Sequence, residues 1–424
     1  MHPVIGKSTW PKLTLSTLAE EVRNLVEPKL DEALPYIGLE HIDQGGLSFS
    51  GIGTSADTQS TKKRFRKGDI LFGTLRPYFR KVARANFDGV CSTDIAVIRA
   101  KEKRDRDFLF YFIANPRFIE YATTSSSGTR MPRAKWSHLA SITWNLPGKE
   151  ARKKIGDILS AYDDLIENNL RRIKILEEMA QLIYREWFVK FRFPGHEKVK
   201  MVDSPVGKIP EGWEMKELSS VTKIVDCLHS KKPTEATDPS EKYGILLHIW
   251  NIPGNGQLDL NKRFFINKDD YDNWTRNIEI MEGDCVITNV GRIGDFAQIP
   301  VDVKAAIGRN MTAVRPLKKG LSPTYLIEYL RSPHMDRERT AKTDRGTIMD
   351  SLNVKGIITL LVPVPPADLM TRFEATARPV RHQLEVLIQK NSNLRQTRDL
   401  LLPKLISGDL DVSDLDIKVR EDLG

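Results

Sequence analysis

The sequence has few cysteines and no long apolar run. Cys91, Cys227 and Cys285 are far apart and form no C-x-x-C pattern, so they predict neither a disulfide framework nor a zinc site. No stretch approaches the roughly 18 consecutive apolar residues of a membrane-spanning helix, and residues 1–7 lack the apolar centre of a signal peptide. We therefore expect a cytoplasmic protein that holds no metal ion and has no membrane partner.

The motifs of common catalytic sites are also missing. The sequence contains no G-x-x-x-x-G-K-[ST] phosphate loop, its eight histidines do not cluster at metal-ligand spacing, and the glycines at 51 and 53 do not open a helix. Asn115-Pro116-Arg117 begins like the Asn-Pro-Pro-aromatic motif of adenine methyltransferases but has neither the second proline nor the aromatic residue. We therefore predict that the chain itself is non-catalytic and binds no cofactor.

Positive charge is concentrated in the first third of the chain. The whole sequence has 65 Lys and Arg residues against 56 Asp and Glu residues. Residues 1–148 contain 22 basic and 15 acidic residues, whereas residues 193–424 contain 33 of each. A basic N-terminal domain favours a polyanionic partner, most commonly nucleic acid. Charge that only keeps the protein soluble is the alternative, and a surplus of this size does not separate the two.

A heptad pattern runs through residues 149–193. Apolar side chains recur in steps of three and four with one asparagine in the series, which predicts a long helix that packs against a single partner helix. The positions that form this seam are Tyr162, Ile166, Asn169, Ile173, Leu176, Ala180, Ile183 and Trp187. Proline and glycine at positions 194 and 195 are expected to end the helix.

The second half of the chain repeats the first, and the repeat supplies the partner helix. Trp10 recurs as Trp213, the Gly-Asp pair of residues 68–69 recurs at 283–284, and the Gly-Thr-x-Met string of residues 128–131 recurs at 346–349. A second heptad pattern then follows at about residues 368–402, with a proline at 403 expected to end or kink the helix. Its seam positions are Phe373, Ala377, Val380, Leu384, Leu387, Asn391 and Leu394.

The duplication predicts a pseudo-two-fold symmetric α+β protein. We expect two mixed α/β domains separated by two long antiparallel helices that form a coiled coil. An asparagine in each seam is expected to fix the register of the pair, and the alternative is that either one faces solvent at a frayed contact. The predicted boundaries are residues 1–148 for the first domain, 149–193 for the first helix, 194–212 for a polar linker, 213–366 for the second domain, 367–408 for the second helix and 409–424 for an acidic, poorly ordered tail.

Within the first domain, the residue pattern predicts a helix at 15–25, strands at 69–72 and 95–98, and a helical stretch at 108–121.

Basic residues alternate with aromatic and small polar residues in both domains, as in surfaces that bind phosphates and base edges. The candidate DNA contacts of the first domain are Lys62, Lys63, Arg64, Arg66, Arg76, Tyr78, Arg80, Lys81, Arg84, Thr129 and Arg130. Those of the second domain are Lys231, Lys232, Arg263, Asn289, Arg292, Arg309, Asn310, Arg345 and Thr347. Solvated surface charge is the alternative for about half of the basic residues, and a structural turn is the alternative for the Gly-Thr-x-Met strings. The loops differ between the two copies, which suits two different half-sites but also suits ordinary drift.

The order of several strings makes the chain resemble, from end to end, the specificity subunit of type I restriction–modification enzymes. These strings are residues 68–71 (Gly-Asp-Ile-Leu), 75–78 (Leu-Arg-Pro-Tyr), 89–94, 127–132 and 209–213 (Ile-Pro-Glu-Gly-Trp), and each half ends in a long helix. The second copy keeps only fragments of them, at 283–284 and 291–294.

The resemblance implies two target-recognition domains, each reading one part of a bipartite, asymmetric double-stranded DNA sequence, with the helices setting the gap. It also implies two modification subunits that use S-adenosylmethionine to methylate adenine, and restriction (motor–nuclease) subunits that use ATP and magnesium. The chain itself would contribute specificity without catalysis.

Two other classes remain open at this point. The first is an enzyme whose motif escapes notice, in which case the purified chain alone would methylate or cut DNA. The second is a structural adaptor that joins proteins through the coiled coil, and its DNA affinity would be indifferent to sequence and fall smoothly with salt.

Overall fold

The computed structural model describes residues 5–28, 33–58, 60–128, 130–204, 207–229, 231–346 and 350–416. The chain divides into two compact units: unit 1 is Met1–Asn168 with Asn393–Gly424, and unit 2 is Asn169–Ser392. Each unit contains one mixed domain and one segment of each long helix. The predicted α+β class is confirmed. Within the described residues, no helix is long and apolar enough to cross a membrane.

Unit 1 consists of short strands followed by helices. Its strands are β1 (Lys12–Thr14), β2 (Ala19–Glu21), β3 (Leu25–Val26), β4 (Pro35–Ile37), β5 (Gly53–Thr54), β6 (Lys62–Phe65), β7 (Ile70–Gly73), β8 (Val82–Arg84), β9 (Gly89–Cys91), β10 (Ile95–Ala100) and β11 (Thr143–Asn145). Its helices are α1 (Arg106–Ala114), α2 (Pro116–Thr124), α3 (Trp136–Ser141) and the first part of α4 (Lys149–Tyr184).

The strands of unit 1 form two main sheets. The four-stranded sheet has a hydrophobic core on each of its faces. One sheet is antiparallel with the order β2-β10-β7-β8, and the other has the order β3-β6-β9-β4-β5, in which β4 and β9 are parallel. Because side chains alternate along a strand, Ile70 and Phe72 of β7 pack with α1 and α2, whereas Leu71 packs on the side of the five-stranded sheet. Strand β7 is therefore buried on both faces.

Unit 2 repeats this arrangement. Its strands are β12 (Met201–Ser204), β13 (Gly207–Pro210), β14 (Glu214–Glu217), β15 (Thr222–Asp226), β16 (Gly244–Leu246), β17 (Phe265–Ile266), β18 (Cys285–Thr288), β19 (Phe296–Gln298), β20 (Ala305–Ala306), β21 (Met311–Pro316) and β22 (Leu361–Val364). Its helices are α5 (Leu218–Val221), α6 (Lys268–Thr275), α7 (Pro323–Leu330), α8 (Pro333–Lys342), α9 (Val354–Ile358) and, shared with unit 1, α10 (Ala367–Ser407). The order β15-β21-β18-β19 matches β2-β10-β7-β8, and β16 pairs in parallel with β20 as β4 does with β9.

A buried ion pair explains why the Gly-Asp strings recur. Asp69 is 2% exposed and accepts two hydrogen bonds of 2.7 Å from the Arg99 guanidinium. Asp284, also 2% exposed, accepts bonds of 2.9 and 2.6 Å from Arg315 in the corresponding strand of unit 2. The carboxylate and guanidinium therefore tie the turn before β7 or β18 to the neighbouring strand in each unit.

The two long helices run antiparallel in both units. In unit 1, Leu159 of α4 packs in one core with Leu402 of α10. In unit 2, Ile173 packs with Leu387, and Trp187 lies 5.9 Å from Phe373 between ring centroids. Because residue numbers rise along one helix as they fall along the other, the pairing is that of an antiparallel coiled coil.

Helix α4 ends before the predicted residue 193, whereas α10 agrees with the predicted bounds 367–408 and continues past the proline that was expected to end or kink it. Helix α4 is α-helical only to Tyr184 and continues as a π-helical turn at Arg185–Val189, before Pro194. Helix α10 continues through Pro403 to Ser407, because Leu405 and Ile406 are buried in the core of unit 1.

Several local predictions for the connecting segments need correction. The helix predicted at 15–25 is wrong: its middle is β2, which pairs with β10, and strand pairing overrides the local preference. The predicted helical stretch 108–121 breaks at Asn115, whose side chain caps α2 by accepting from the Arg117 amide at 2.9 Å. The segment predicted as a polar linker contains the hairpin of β12 and β13.

Residues 409–416 of the acidic tail pack against unit 1, contrary to the prediction of a poorly ordered tail. Val412 is 3% exposed within the unit 1 core, and Asp411 accepts a 2.7 Å bond from Lys7. The Lys154 ammonium donates to the backbone carbonyls of Val412, Ser413 and Leu415. These contacts hold the tail against α4 of the same unit.

Candidate nucleic-acid interface

The turn between β7 and β8 carries exposed arginines in a strained backbone conformation. We call residues 76–80 the arginine turn, which contains the 3-10 helix Pro77–Phe79. Arg76 has φ of 49° and Arg80 has φ of 54°, both in the left-handed region. Both side chains are exposed, as is Tyr78. A left-handed conformation costs a residue with a Cβ about 1–2 kcal/mol.

The equivalent turn of unit 2 has glycines where unit 1 has these arginines. Gly291 has φ of 87° and Gly294 has φ of 70°, between strands β18 and β19. The turns correspond because Leu75 bridges to Arg133 as Val290 bridges to Ser351. The scaffold thus requires left-handed backbone at both positions, which glycine adopts readily. Unit 1 keeps arginines there despite the strain, as is common for residues with a function beyond folding.

A second loop brings Arg130 beside the arginine turn. The Arg76 amide donates to the Pro132 carbonyl at 2.8 Å, and the Arg76 guanidinium donates to the Arg130 carbonyl at 3.4 Å. Within the part of the chain that the structure describes, Arg76, Arg80 and Arg130 have no carboxylate partner. The loop's predicted contact Thr129 lies outside the described residues. The three guanidinium groups are therefore available to an anion.

Two predicted DNA contacts of unit 1 are engaged with their own sheet. Lys62 is 3% exposed and donates to the Ser60 carbonyl at 2.7 Å, and burial lowers the pKa of its ammonium. Lys63 donates to the Ile95 carbonyl at 2.9 Å. We therefore withdraw both from the candidate surface, because a buried or bonded ammonium does not reach a phosphate.

Lys81 and Arg84 also bind groups of their own domain. Lys81 donates to the carbonyls of Leu39 and Ile42, the latter at 3.1 Å. Arg84 pairs with Asp107, so both leave the candidate surface as well. By contrast, Arg64 and Arg66 are exposed and stay in it.

In unit 2, Asn289 is a structural residue. It is 7% exposed, and its side-chain amide donates to the Thr312 hydroxyl at 3.0 Å and to the Leu352 carbonyl at 2.9 Å. The sequence-based prediction of a base contact for Asn289 is therefore withdrawn, because its donors are already used inside the domain.

The other predicted residues of unit 2 lie on or near the surface. Arg263 is partly buried and donates to the Leu260 carbonyl at 3.1 Å, and Arg292 donates to the Ile252 carbonyl at 3.4 Å. The exposed members of the predicted set are Lys231, Lys232, Arg292, Arg309, Asn310 and Arg345. Thr347 lies outside the described residues. Sequence reasoning did not single out Trp250, which is 39% exposed beside Lys262; an aromatic residue directly after the strand β16 was the available signal.

One group of side chains in unit 2 has metal-ligand spacing. The ligand atoms of Asp226, Cys227 and His229 lie within 4.8 Å of one another. Burial raises the pKa of the Cys227 thiol, which disfavours the thiolate that a metal needs, and the His229 ring is already 3.2 Å from the Asp226 carboxylate. We assign no metal to this group.

Known proteins share this sequence pattern and fold. Residues 23–178 match the family model described as the type I restriction modification DNA specificity domain. The type I restriction enzyme MjaIX specificity subunit of Methanocaldococcus jannaschii is 26% identical over 364 residues, which cover 83% of this chain and 79% of that protein. The HindI specificity subunit of Haemophilus influenzae is 24% identical over 425 residues, which cover 82% and 88%.

A solved structure has the same fold. The crystal structure of the type I restriction–modification system S subunit from M. genitalium matches with a TM-score of 0.58 at 15% identity, covering 96% of this chain and 99% of that one. The fold and the candidate surface define a duplicated protein that displays two different polar surfaces on one scaffold. Over most of its length the chain is similar to type I restriction enzyme specificity subunits, which confirms the resemblance predicted from its sequence.

Proposed function

We propose that the chain recognises a bipartite, asymmetric sequence in double-stranded DNA, with the domain of unit 1 reading one half-site and the domain of unit 2 the other. The observation that carries this proposal is the arginine turn. Arg76 and Arg80 occupy left-handed positions that are glycine in unit 2, so the two domains present different donors on the same turn. A protein that reads two unlike half-sites needs this combination of a shared scaffold and different contact residues.

The chemistry of the arginine turn suits base and phosphate recognition. A guanidinium can donate two parallel hydrogen bonds to O6 and N7 of guanine in the major groove, and a good bidentate pair contributes about 1–3 kcal/mol of discrimination. Arg130 flanks this turn and Tyr78 is exposed on it, so both would contact the DNA backbone.

The proposal extends to the partners of the chain. The relatives are named specificity subunits of restriction enzymes, which supports a chain that is itself non-catalytic. Two modification subunits would methylate adenine in the bound site with S-adenosylmethionine, flipping the base out of the duplex. Restriction (motor–nuclease) subunits would use ATP and magnesium. All of these cofactors would be held by the partners.

Mapping methylated adenines in a genome that carries this chain and its modification subunits tests the proposal. The expected result is methylation confined to one bipartite sequence with a fixed gap. In the complex of chain and modification subunits, Arg76→Gly together with Arg80→Gly should relax the half-site read by unit 1 and leave the other unchanged. Equal relaxation of both half-sites would refute the division of labour.

The two alternative functions give different results in the same experiments. A structural adaptor would bind the mapped sequence and a scrambled duplex equally well at every salt concentration. An enzyme would methylate or cut DNA as the purified chain without its partners.

A further inference from the structure

An aromatic column with a lysine at each end stands on unit 2. It is built around the short 3-10 helix Ile249–Asn251, which follows β16 after Leu247 and His248. The His248 and Trp250 rings are stacked, with centroids 4.0 Å apart and planes 12° apart. Phe264, just before β17, lies 4.8 Å from His248. We call His248, Trp250 and Phe264 the aromatic column.

The two lysines lie over the rings at the ends of the column. The Lys262 ammonium is 4.6 Å from the Trp250 ring centroid, and the Lys232 ammonium is 4.3 Å from that of Phe264. Both lysine side chains are exposed. The negative face of an aromatic ring attracts an ammonium and limits the motion of the lysine side chain. The column therefore holds two positive charges in place at the surface.

The imidazole in the middle of the column does not add a third charge. Its Nδ1 lies 3.0 Å from the Leu246 carbonyl. Burial lowers the pKa of His248. The hydrogen bond to the Leu246 carbonyl opposes this, the charges of Lys232 and Lys262 lower the pKa further, and Glu235 raises it least. A neutral ring stacks on Trp250 and packs at a tilt against Phe264 without repelling the lysines.

The corresponding turn of unit 1 has the same frame and a different outer face. In unit 1 the Gly38 amide donates to His41 Nδ1 at 3.0 Å, and in unit 2 the His248 amide donates to Asn251 Oδ1 at 2.9 Å. The exposed position of this turn is Glu40 in unit 1 and Trp250 in unit 2. The Glu40 carboxylate of unit 1 repels phosphates. At the equivalent position of unit 2, the lysines beside the Trp250 indole attract them.

We propose that the aromatic column and its two lysines form a site for duplex DNA on the second domain. Lys232 and Lys262 bind backbone phosphates, and the exposed edge of Trp250 contacts a base of the second half-site. This inference rests on the proposed function and assigns that half-site a contact surface. Duplex DNA suits the site because it offers phosphates on both sides of a groove whose floor presents base edges, among them the apolar methyl group of thymine.

The test uses the complex of the chain with its modification subunits and a fluorescent duplex that contains the mapped methylation sequence. Binding is measured as a function of salt for the wild type and for Lys232→Gln and Lys262→Gln. Replacing a lysine that neutralises a phosphate should make the negative slope of log affinity against log salt shallower by about one, and it should weaken binding to all sequences alike. Lys304→Gln is the matched control, because Lys304 is also exposed and lies 3.3 Å from the centroid of the Tyr243 ring.

Trp250 is tested by preference among sequences. Trp250→Ala should lower discrimination at the second half-site about tenfold, which corresponds to about 1.4 kcal/mol, and leave the first half-site unchanged. Trp250→Phe keeps an aromatic ring in the column and should lose less, which guards against an alanine variant that fails to fold. Glu40→Gln, at the equivalent position of unit 1, should leave the second half-site unchanged.

The outcomes separate the two proposals. This inference alone is overturned if the wild-type complex prefers its mapped site while the variants behave like it. In that case both lysine variants keep the wild-type salt slope, and both Trp250 variants keep the wild-type discrimination. A wild-type complex without preference for the mapped site overturns the proposed function, and the inference falls with it.

Discussion

The side-chain amide of Asn169 in α4 donates a 2.9 Å hydrogen bond to the amide oxygen of Asn391 in α10. Both residues are largely buried, at 9% and 2% exposure, in the helix pair of unit 2. Leu384 and Leu387 pack with Ile173 beside them. The two side-chain amides can form this hydrogen bond only when the helices are aligned so that the asparagines meet. A buried asparagine specifies the register of a helix pair in this way.

We predict that the two asparagines are energetically coupled. Asn169→Leu alone or Asn391→Leu alone should lower stability by about 1–3 kcal/mol, because each leaves a buried amide without this partner. The double variant should melt at or above the wild-type temperature, since leucines in both positions complete an apolar seam. Scanning calorimetry of the three variants checks the order. Additive losses in the double variant would show that the two amides act independently.

Substitutions in the arginine turn should have opposite effects on protein stability and on recognition of the first half-site. Arg76→Gly should raise stability by up to about 1–2 kcal/mol, because glycine adopts the left-handed conformation without the clash of a Cβ, while recognition of the first half-site is lost. Arg76→Lys should keep the strain and lose the bidentate donor. Melting temperature and half-site discrimination, measured on both variants, check this. A stability loss in Arg76→Gly would mean that the side chain holds the turn together.

The repeated ion pair predicts similar effects in the two units. Asp69→Asn and Asp284→Asn each remove the charge that faces a guanidinium across a buried turn. The loss for breaking a buried pair is about 3–5 kcal/mol, and about half of that is expected here because Arg99 and Arg315 are 34% and 25% exposed. Glu217→Gln, an exposed carboxylate in unit 2, serves as the control. Thermal unfolding followed by circular dichroism measures all three, and a loss in only one unit contradicts the equivalence.

Much of the architecture was predictable because it follows from residue patterns that recur at regular spacing in the sequence. Heptads show the helix pair and its two asparagines, and the repeated Gly-Asp string shows the duplication. Strand β7 and strand β10 are apolar runs that end at turn residues, and both were found near the predicted positions. These features depend on residues close in sequence, so a pattern over a short window reveals them.

The candidate surface was less predictable because it depends on contacts between distant segments. Lys62 looks like its exposed neighbour Arg64 in the sequence, yet it is buried over the Tyr36 ring, 26 residues earlier in the chain. The aromatic column and its two lysines, at residues 232, 248, 250, 262 and 264, come together only once β16 and β17 pair. The left-handed backbone of Arg76, and its equivalence to Gly291, are also recognised only when the strands of the two units are aligned. Strand pairing and backbone dihedral angles, which the sequence does not display, decide these roles.

Unit 2 contains a buried carboxylate whose ionisation should weaken the fold. Glu328 of α7 is 1% exposed, neither of its carboxylate oxygens has a hydrogen-bond partner in the described structure, and the nearest Arg381 nitrogen is 3.6 Å away. Burial raises the pKa of Glu328 above its ordinary value of 4.5, and the attraction of Arg381 and Arg331 only partly opposes this. The carboxyl group therefore keeps its proton in the folded state at a pH where the unfolded chain has lost it.

The sign of the pH dependence follows from this difference in bound protons. Between pH 4.5 and the raised pKa, the folded state binds more protons than the unfolded state, so the contribution of Glu328 to stability falls as pH rises. Glu328→Gln cannot ionise and should lose this component, so its melting temperature relative to wild type should increase across the same pH range. Melting curves from pH 4 to pH 8 measure the difference, with Glu178→Gln on the exposed face of α4 as the control. A difference between Glu328→Gln and wild type that stays constant with pH would show that Glu328 is already ionised in the folded protein and held by Arg381.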